Sequence, residues 1–343
     1  NMLRSSYAPR MRERGVSAHA LVYPESHAAY AEVLLRELGM TSEAADLRRF
    51  DKLGDDTLAK LGHRAGMFRA GRVQSRSYRM IRRQQWLERK GSLVDRLRLE
   101  ATFGLGRLGG LLAHDLVANC AFFVALAKND YVRKVCIPRL EALAPELVVA
   151  TGPETPFDLP WMVAAEMLGV KRAVLIRSWD NVTTKIGFMP SADVYLVWSK
   201  LMEEELRKYF PEYSNRKIVR VGSSQFDGHI DPLNRLSREE FCSLTEIDPA
   251  RPILLYCTGG PWMVKNEHLL VAEIQRAVRE IPGAQLLVRL HPYYWNTDIS
   301  VYEHVPGVKV WPPRDRAAGL AGGKTAGLLD DYKVGISSFF HQA

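Results

Sequence analysis

The sequence predicts an α/β protein with two doubly wound domains that face each other across a cleft. From residue 146 onward, short apolar segments alternate with amphipathic segments of helical period, a pattern that is typical of parallel sheets with helical crossovers. This alternation is interrupted once, at 222–234, by a stretch containing Gly222, Gly228 and Pro232 that predicts a linker. We therefore expect an N-terminal domain over residues 1–222 and a C-terminal domain over residues 223–343.

In the N-terminal domain, a predicted helix at 1–13 is followed by a strand at 17–23 and a capped helix at 28–38. A long, charged helical region at 42–143 follows and is predicted to be an insertion. The strands expected after it are 146–151, 172–177, 193–198 and 217–221, with helices at 159–168 and 201–209. In the C-terminal domain the predicted strands are 253–257, 285–290, 308–311 and 333–337, with helices at 237–244 and 266–280.

Both ends are expected to be truncated. Residues 1–13 form a predicted helix with no strand before it, and the helix that should begin after residue 338 stops within its first two turns. The predicted C-terminal domain is therefore incomplete.

Composition limits the class of protein. With 343 residues, of which 47% are apolar, the chain is long enough to bury a large core. The four cysteines form neither a CxxC motif nor a zinc spacing, which indicates reduced thiols in a cytoplasmic protein. The amino end lacks a secretory signal pattern. The longest uncharged apolar stretch, between Leu116 and Lys128, is shorter than the roughly 20 residues of a membrane span.

The net charge of +8 is concentrated between Arg64 and Arg98, a segment that contains eleven basic residues and two acidic ones. Steps of three and four residues place five arginines on one predicted helical stripe, interleaved with aromatic residues. These arginines are Arg69, Arg72, Arg76, Arg79 and Arg83.

Three interpretations of the stripe remain open. It is a solvated face partly paired with carboxylates, a contact with an anionic membrane surface or an anionic lipid-linked or polymeric acceptor, or a nucleic-acid site. The last is disfavoured because no recognised nucleic-acid module accompanies the charge, so we expect no nucleic-acid partner. Under the second interpretation Arg72, Arg76 and Arg79 lie on the acceptor side.

A strand that ends at His291-Pro292 places an imidazole at the carboxyl edge of a sheet, where open α/β sheets bind their ligands. Together with the serine and glycine segments described next, this position predicts that His291 contacts a nucleotide phosphate. The alternative is a histidine that ends a strand while Pro292 turns the chain. Arg289 lies on the same face of the strand as His291. It is either a second phosphate contact or a buried partner.

Two further segments are candidates for phosphate binding. Ser337 and Ser338 lie where a strand meets a helix start, which favours anions, although a plain helix cap has the same pattern. Thr258, Gly259 and Gly260 follow a strand, and glycine allows the backbone to approach a ligand closely. No GxxxxGK[ST] P-loop occurs, and the GxGxxG spacing at Gly104, Gly106 and Gly109 lies inside the predicted helical region rather than after a strand, which disfavours NTPase and NAD-binding functions.

In the N-terminal domain, Trp179, Asp180 and Asn181 follow a predicted strand. Asp180 is the candidate general base for an acceptor hydroxyl, with a local Asx turn as the alternative. Glu154 is the other candidate carboxylate at the cleft edge. No Asp-x-Asp pair follows a strand in a setting that suggests a metal site, so the sequence predicts metal-independent chemistry without a bound cofactor.

Several short motifs occur in an order that resembles two-domain GT-B glycosyltransferases, which have Rossmann-like domains. They are Ser178-Trp179-Asp180-Asn181, the segment 190–199 with Met202 and Glu205, Val221-Gly222 with Phe226-Asp227, His291-Pro292, and Ile336-Ser337-Ser338-Phe339-Phe340. The resemblance is nearest to bacterial surface-polysaccharide enzymes and CDP-glycerol glycerophosphotransferases. It implies that the His-Pro and Ser-Ser elements hold the phosphates of the donor, and it places Asp180 ahead of Glu154 as the base.

Together these observations lead us to expect a cytoplasmic transferase acting at the inner face of the membrane. It would move a sugar or polyol phosphate from a nucleotide-activated donor, such as a nucleotide-sugar or CDP-polyol, to a surface glycan or lipid-linked acceptor in cell-envelope polysaccharide biosynthesis. The C-terminal domain would bind the donor, and the N-terminal domain would present the acceptor. Two alternatives remain open: a UDP-N-acetylglucosamine 2-epimerase on the same architecture, and a non-catalytic nucleotide-sugar-binding protein or inactive fragment.

Overall fold

Parallel strands joined by helices form the sheets of this protein. The structure is a computed structural model, and it describes residues 7–22, 35, 39–45, 47–74, 80, 92–112, 114–151, 157–184, 188–223, 226, 236–259, 266–291 and 300–311. Within these residues, every strand pair is parallel. The predicted α/β class with Rossmann-like parallel sheets is confirmed.

The described residues divide into two compact units. The first lies within His19–Ala31 and Thr41–Ser223, and the second within Asn1–Ala18, Glu32–Met40 and Ser224–Ala343. Part of the amino-terminal sequence therefore belongs to the second unit. The predicted domain ranges 1–222 and 223–343 stay predictions.

The described helices are α1 (Tyr7–Glu13), α2 (Asp56–Val73), α3 (Leu93–Leu111), α4 (His114–Lys128), α5 (Ile137–Leu143), α6 (Leu159–Met167), α7 (Asn181–Thr184), α8 (Lys200–Tyr209), α9 (Arg238–Thr245), α10 (Glu267–Val278) and α11 (Ser300–Glu303). The described strands are β1 (His19–Val22), β2 (Thr41–Ala44), β3 (Leu147–Ala150), β4 (Lys171–Leu175), β5 (Val194–Val197), β6 (Lys217–Arg220), β7 (Ile253–Cys257), β8 (Gln285–Arg289) and β9 (Val308–Trp311). Short 3-10 turns lie at Phe50–Lys52 and Pro211–Tyr213.

The main sheet of the first unit has the order β3-β4-β5-β6. Its strands are short apolar runs because a parallel sheet is covered on both faces, and Val174, Tyr195 and Val197 are fully buried. Helix α6 connects β3 to β4 and is apolar on nearly all sides, with Leu159 to Ala165 buried, as expected for a helix inside a core. The predicted strands and helices of this region are confirmed to within about two residues.

Strand β2 corrects the prediction that the chain is helical from residue 42. Thr41–Ala44 pairs in parallel with β1, with His19 opposite Thr41. The His19 ring nitrogen lies 2.8 Å from the Thr41 hydroxyl, and Glu43 forms an ion pair with Arg139 of α5. These contacts join residues far apart in the chain, so a polar segment without strand periodicity becomes a strand through its partners.

The inserted helices pack closely because glycine lines the crossing of α2 and α3. A Cβ atom at Gly71 would overlap the carbonyl oxygen of Gly106, and one at Gly110 would lie 2.7 Å from that of Phe68. Only hydrogen side chains permit this approach. Farther along, a π-helix at Val132–Cys136 leads into α5.

No single described helix is both long and apolar enough to cross a membrane. One bent pair of helices, Arg96–Leu111 with Leu116–Lys128, reaches that length and apolar content in combination.

The described sheet of the second unit has the order β7-β8-β9. Central strand β8 is covered on both faces. Leu286, Val288 and Leu290 pack with residues of α10, whereas Leu287 packs with residues of α9. Helix α9 starts with a capping box, in which Ser237 accepts from the Glu240 amide and Glu240 accepts from the Ser237 amide.

Candidate functional site

The carboxyl ends of β7 and β8 are joined into one edge. Cys257 pairs with Arg289 in the strand register, and the Thr258 amide donates to the Arg289 carbonyl at 3.0 Å. The His291 amide then donates to the Thr258 hydroxyl at 2.8 Å. The structure thus brings together Thr258, Arg289 and His291, which the sequence predicted as members of one site.

A buried carboxylate positions the backbone beyond β7. Glu267 is the first residue of α10 and is only 3% exposed. Its Oε1 atom accepts from the Gly259 amide at 2.9 Å and from the Tyr256 hydroxyl at 2.8 Å. Asn266 precedes it in the left-handed region, with φ of 55°. The glycine segment that the sequence predicted to approach a ligand is therefore held by a side chain.

The electrostatic surroundings favour a neutral His291. Burial lowers the pKa of His291 below its ordinary value of 6.5, the nearby Arg289 charge lowers it further, and the Glu267 carboxylate opposes both. Arg289 also acts on Cys257, whose pKa is raised by burial and lowered by that guanidinium. A cation and a neutral imidazole at a strand edge suit a ligand that carries negative charge.

In the first unit, Asp180 lies five residues after β4 and immediately before the short helix α7. Its Oδ1 atom accepts from the Ser178 hydroxyl at 2.5 Å. The Thr184 hydroxyl lies 3.0 Å from its Oδ2 atom and 2.7 Å from its carbonyl oxygen. The Thr183 and Thr184 amides also donate to the Asp180 carbonyl. These contacts are local to Asp180, and both the general base and the Asx turn stay predictions.

The neighbours of Asp180 differ in exposure. Trp179 is 68% exposed, whereas Asn181 is 1% exposed. Ser178 accepts a hydrogen bond through its carbonyl from the Asn181 amide at 3.1 Å. Trp179 thus offers an aromatic surface at the carboxyl end of β4, and Asn181 is part of the interior. Their acceptor-side assignment stays a prediction.

The first two arginines of the predicted stripe pack against the protein, so the stripe is not exposed along its whole length. Arg69 is fully buried, and its Nη2 atom lies 2.5 Å from Glu212. Its guanidinium stacks over the Phe210 ring at 4.8 Å. Arg72 donates to the Tyr209 carbonyl at 2.9 Å. Pairing with a carboxylate was one of the open interpretations, and Arg72 as an acceptor contact stays a prediction.

Six predicted site residues lie outside the described residues. They are Glu154, Arg76, Arg79, Gly260, Ser337 and Ser338. Their roles stay predictions. In the part of the chain that the structure describes, no group of three or more histidine, cysteine, aspartate or glutamate side chains is placed to hold a metal ion.

A cavity of about 600 Å³ opens at the amino-terminal edge of β8 and β9, away from this site. Its polar side chains are engaged with one another and with the backbone. Gln285 donates to the Asp248 carbonyl, and Lys309 pairs with Glu246. Because open α/β sheets bind ligands at the carboxyl ends of their strands, we assign the candidate site to the β7–β8 edge.

Sequence reasoning missed Glu267. The residue was placed within a helix but assigned no role, because a glutamate in a first helical turn is common on solvent-exposed helices. Its burial depends on Tyr256, which lies eleven residues earlier on the neighbouring strand. The sequence feature that could have identified Glu267 is an acidic residue at the start of a helix, a few residues after a strand and a pair of glycines.

No protein-family profile matches the chain. No curated protein matches it either. Among solved structures, it is similar to a Staphylococcus aureus MnaA–UDP co-structure, at 16% identity and a TM-score of 0.36 over 58% of this chain and 55% of that one. It is also similar to a putative UDP-N-acetylglucosamine 2-epimerase from Listeria monocytogenes, at 12% identity and a TM-score of 0.35 over 57% and 53%. The chain spans about half the length of each, and these TM-scores are too low to support a shared function.

Proposed function

We propose that this protein is an enzyme that binds a nucleotide-activated sugar or polyol phosphate by its diphosphate at the β7–β8 edge. One observation supports this most directly: the hydrogen bond from the His291 amide to the Thr258 hydroxyl, which joins the two strand ends beside Arg289. A diphosphate there would meet the Arg289 charge and the His291 imidazole. Interactions of this kind stabilise charge on a leaving nucleotide without a metal ion or a further cofactor.

Transfer to an acceptor is the first candidate reaction. It needs a base for the acceptor hydroxyl, for which the sequence proposes Asp180, and an acceptor such as a surface glycan or lipid-linked sugar. A general base must lie within hydrogen-bond reach of the proton that it removes. Each oxygen of Asp180 accepts one hydroxyl, from Ser178 or from Thr184, and keeps a second lone pair for an acceptor hydroxyl.

Epimerisation of UDP-N-acetylglucosamine is the second candidate. It requires no acceptor, so the donor alone is sufficient to test it, although inversion at C2 of the sugar needs a group that removes and returns a proton. A nucleotide-sugar bound at the β7–β8 edge would then be both substrate and product. We therefore give epimerisation the first test.

The test uses the whole chain with UDP-N-acetylglucosamine and, separately, with CDP-glycerol. Thermal-shift titration measures binding, and NMR follows the donor alone and with a polyol-phosphate or lipid-linked acceptor. A new epimer without acceptor would identify the epimerase, and acceptor-dependent loss of donor would identify the transferase. Saturable binding with intact donor in both arms would leave a binding protein and contradict the enzyme proposal.

A pair of variants tests the site itself. His291→Ala should weaken donor binding by about tenfold, the loss expected for one charge-assisted hydrogen bond. His304→Ala, at an exposed position after α11, should change neither binding nor turnover. If His291→Ala has no more effect than its control, the donor site lies elsewhere.

A further inference from the structure

Helix α3 carries an apolar face that is exposed to solvent, with leucine and valine side chains near both of its ends. Its exposed apolar residues are Leu93, Val94, Leu97, Leu105, Leu108, Leu111 and, just beyond the helix, Leu112. At about 100° per residue, these seven fall within about 120° of the helix circumference. We call this surface the outer leucine face. An apolar stripe of this width is normally the side that a helix turns toward a core.

The opposite side of α3 is the one that packs. Gly106, Gly109 and Gly110 are buried, and they contact Met67, Phe68 and Arg72 of α2. These glycine contacts hold α3 against α2. The outer leucine face is therefore presented outward by a fixed helix.

Arginines border the outer leucine face on both flanks. By helical position, Arg98 lies beside one edge, and Arg96 and Arg107 lie beside the other, with Glu100 between Arg107 and the apolar residues. All four side chains are exposed. Long cationic side chains at the border of an apolar face can extend to lipid phosphates while the apolar residues enter the acyl region.

We propose that the outer leucine face of α3 lies flat on a membrane surface that contains anionic lipids. The helix spans about 30 Å at 1.5 Å per residue, and its seven apolar side chains would enter the boundary between headgroups and acyl chains. The flanking arginines select negatively charged headgroups. This surface is distinct from the arginine stripe predicted from the sequence, which begins on α2. Arg69 of that stripe is buried against Glu212.

A lipid surface fits this face better than a second protein. Stable protein interfaces are enriched in aromatic residues and methionine at their centre, whereas the outer leucine face consists of leucine and valine. The charges border the apolar residues on two sides, as a flat headgroup layer requires. A second copy of this chain is the competing occupant.

The experiment measures co-sedimentation of the whole chain with vesicles. One set contains equal parts phosphatidylglycerol and phosphatidylcholine, and the other contains phosphatidylcholine alone. The wild type should bind the anionic vesicles more strongly. The triple variant L97Q/L108Q/L111Q should lose at least about tenfold in partitioning to both sets, because less apolar surface enters the lipid. The matched control L269Q/L270Q, which changes two exposed leucines of α10, should bind as the wild type does.

A charge variant separates selective binding of anionic lipids from nonspecific apolar adsorption. R96Q/R98Q/R107Q should lose about fivefold per arginine on anionic vesicles and little on neutral ones. Circular dichroism and thermal melting verify folding, and if the leucine variant does not fold, the arginine variant decides. Binding to anionic vesicles that neither variant reduces would overturn the proposal. So would a wild-type dimer that does not bind vesicles and that L97Q/L108Q/L111Q converts to monomer in sedimentation equilibrium.

Discussion

The guanidinium of Arg69 is completely buried, and its partner Glu212 lies 2.5 Å away in the turn between α8 and β6. Arg69 also lies within 3.3 Å of the Tyr209 carbonyl oxygen. This pair links α2, in the region predicted to be an insertion, to the sheet-forming part of the first unit. The inserted helices are therefore attached through a charge that solvent does not reach.

Removing the carboxylate should be costly. Glu212→Ala should lower the free energy of unfolding by about 3 kcal/mol, because it leaves a buried cation without its partner. Urea denaturation measures the change. The control Glu204→Ala breaks an exposed pair with Lys200 and should cost less than about 0.5 kcal/mol. The double variant R69M/E212A should recover most of the loss. Similar costs at both glutamates would contradict the role of the pair.

The glycine contact between α2 and α3 makes a second prediction. Gly71→Ala should destabilise the protein by about 2 kcal/mol, since its Cβ would overlap the Gly106 carbonyl oxygen and force the helices apart. Gly104→Ala, on the same pair of helices, meets nothing within 4 Å and should stabilise by about 0.5 kcal/mol through helix propensity. Thermal denaturation of both variants provides the comparison. Opposite signs are required, and a neutral Gly71→Ala would mean that α3 is not held at this distance.

Much of the fold could be predicted because its strands are local apolar runs. Strands β7 and β8 were placed almost to the residue, since burial on both faces makes them continuously apolar. Strand β2 could not be predicted, because Glu43 and its neighbours become a strand through contacts with β1 and α5. Periodicity grouped Arg69 with exposed arginines, since spacing defines a helix face but not what packs against it.

The candidate site, too, could be predicted only in part from the sequence. His291 and Thr258 were predicted because a strand end is visible in the sequence, and parallel strands bring their carboxyl ends to one edge. The hydrogen bond between them was not visible, because it depends on the register of β7 against β8. Glu267 was missed because its burial follows from the packing of α10.

Glu267 yields a third prediction. Glu267→Ala should cost about 3 kcal/mol of unfolding free energy, because the Gly259 amide and the Tyr256 hydroxyl lose a buried acceptor. Glu267→Gln keeps a carbonyl oxygen at the same place and should cost about 1 kcal/mol. Chemical denaturation measures both, and hydrogen exchange at Gly259 should accelerate only in the alanine variant. Unchanged exchange there would show that Glu267 does not hold this backbone.

The fourth prediction concerns pH. The pKa of His291 in the folded protein lies below its ordinary value of 6.5, so the unfolded chain takes up the proton at a higher pH than the folded one. Stability should therefore fall as pH decreases from 6.5 toward the folded-state pKa. Unfolding free energies at pH 7.5, 6.5 and 5.5 should decline more steeply in the wild type than in His291→Gln. Equal slopes would contradict a lowered pKa at this residue.

The π-helix Val132–Cys136 bears on how chain length can vary in this fold. Its closing hydrogen bond runs from the Ile137 amide to the Val132 carbonyl, five residues apart, whereas an α-turn spans four. Deleting one exposed residue of this turn, such as Lys134, would restore an α-turn and leave Leu140 facing the core. A chain one residue shorter at this point would keep the same three-dimensional arrangement, so an alignment gap here marks no change of structure.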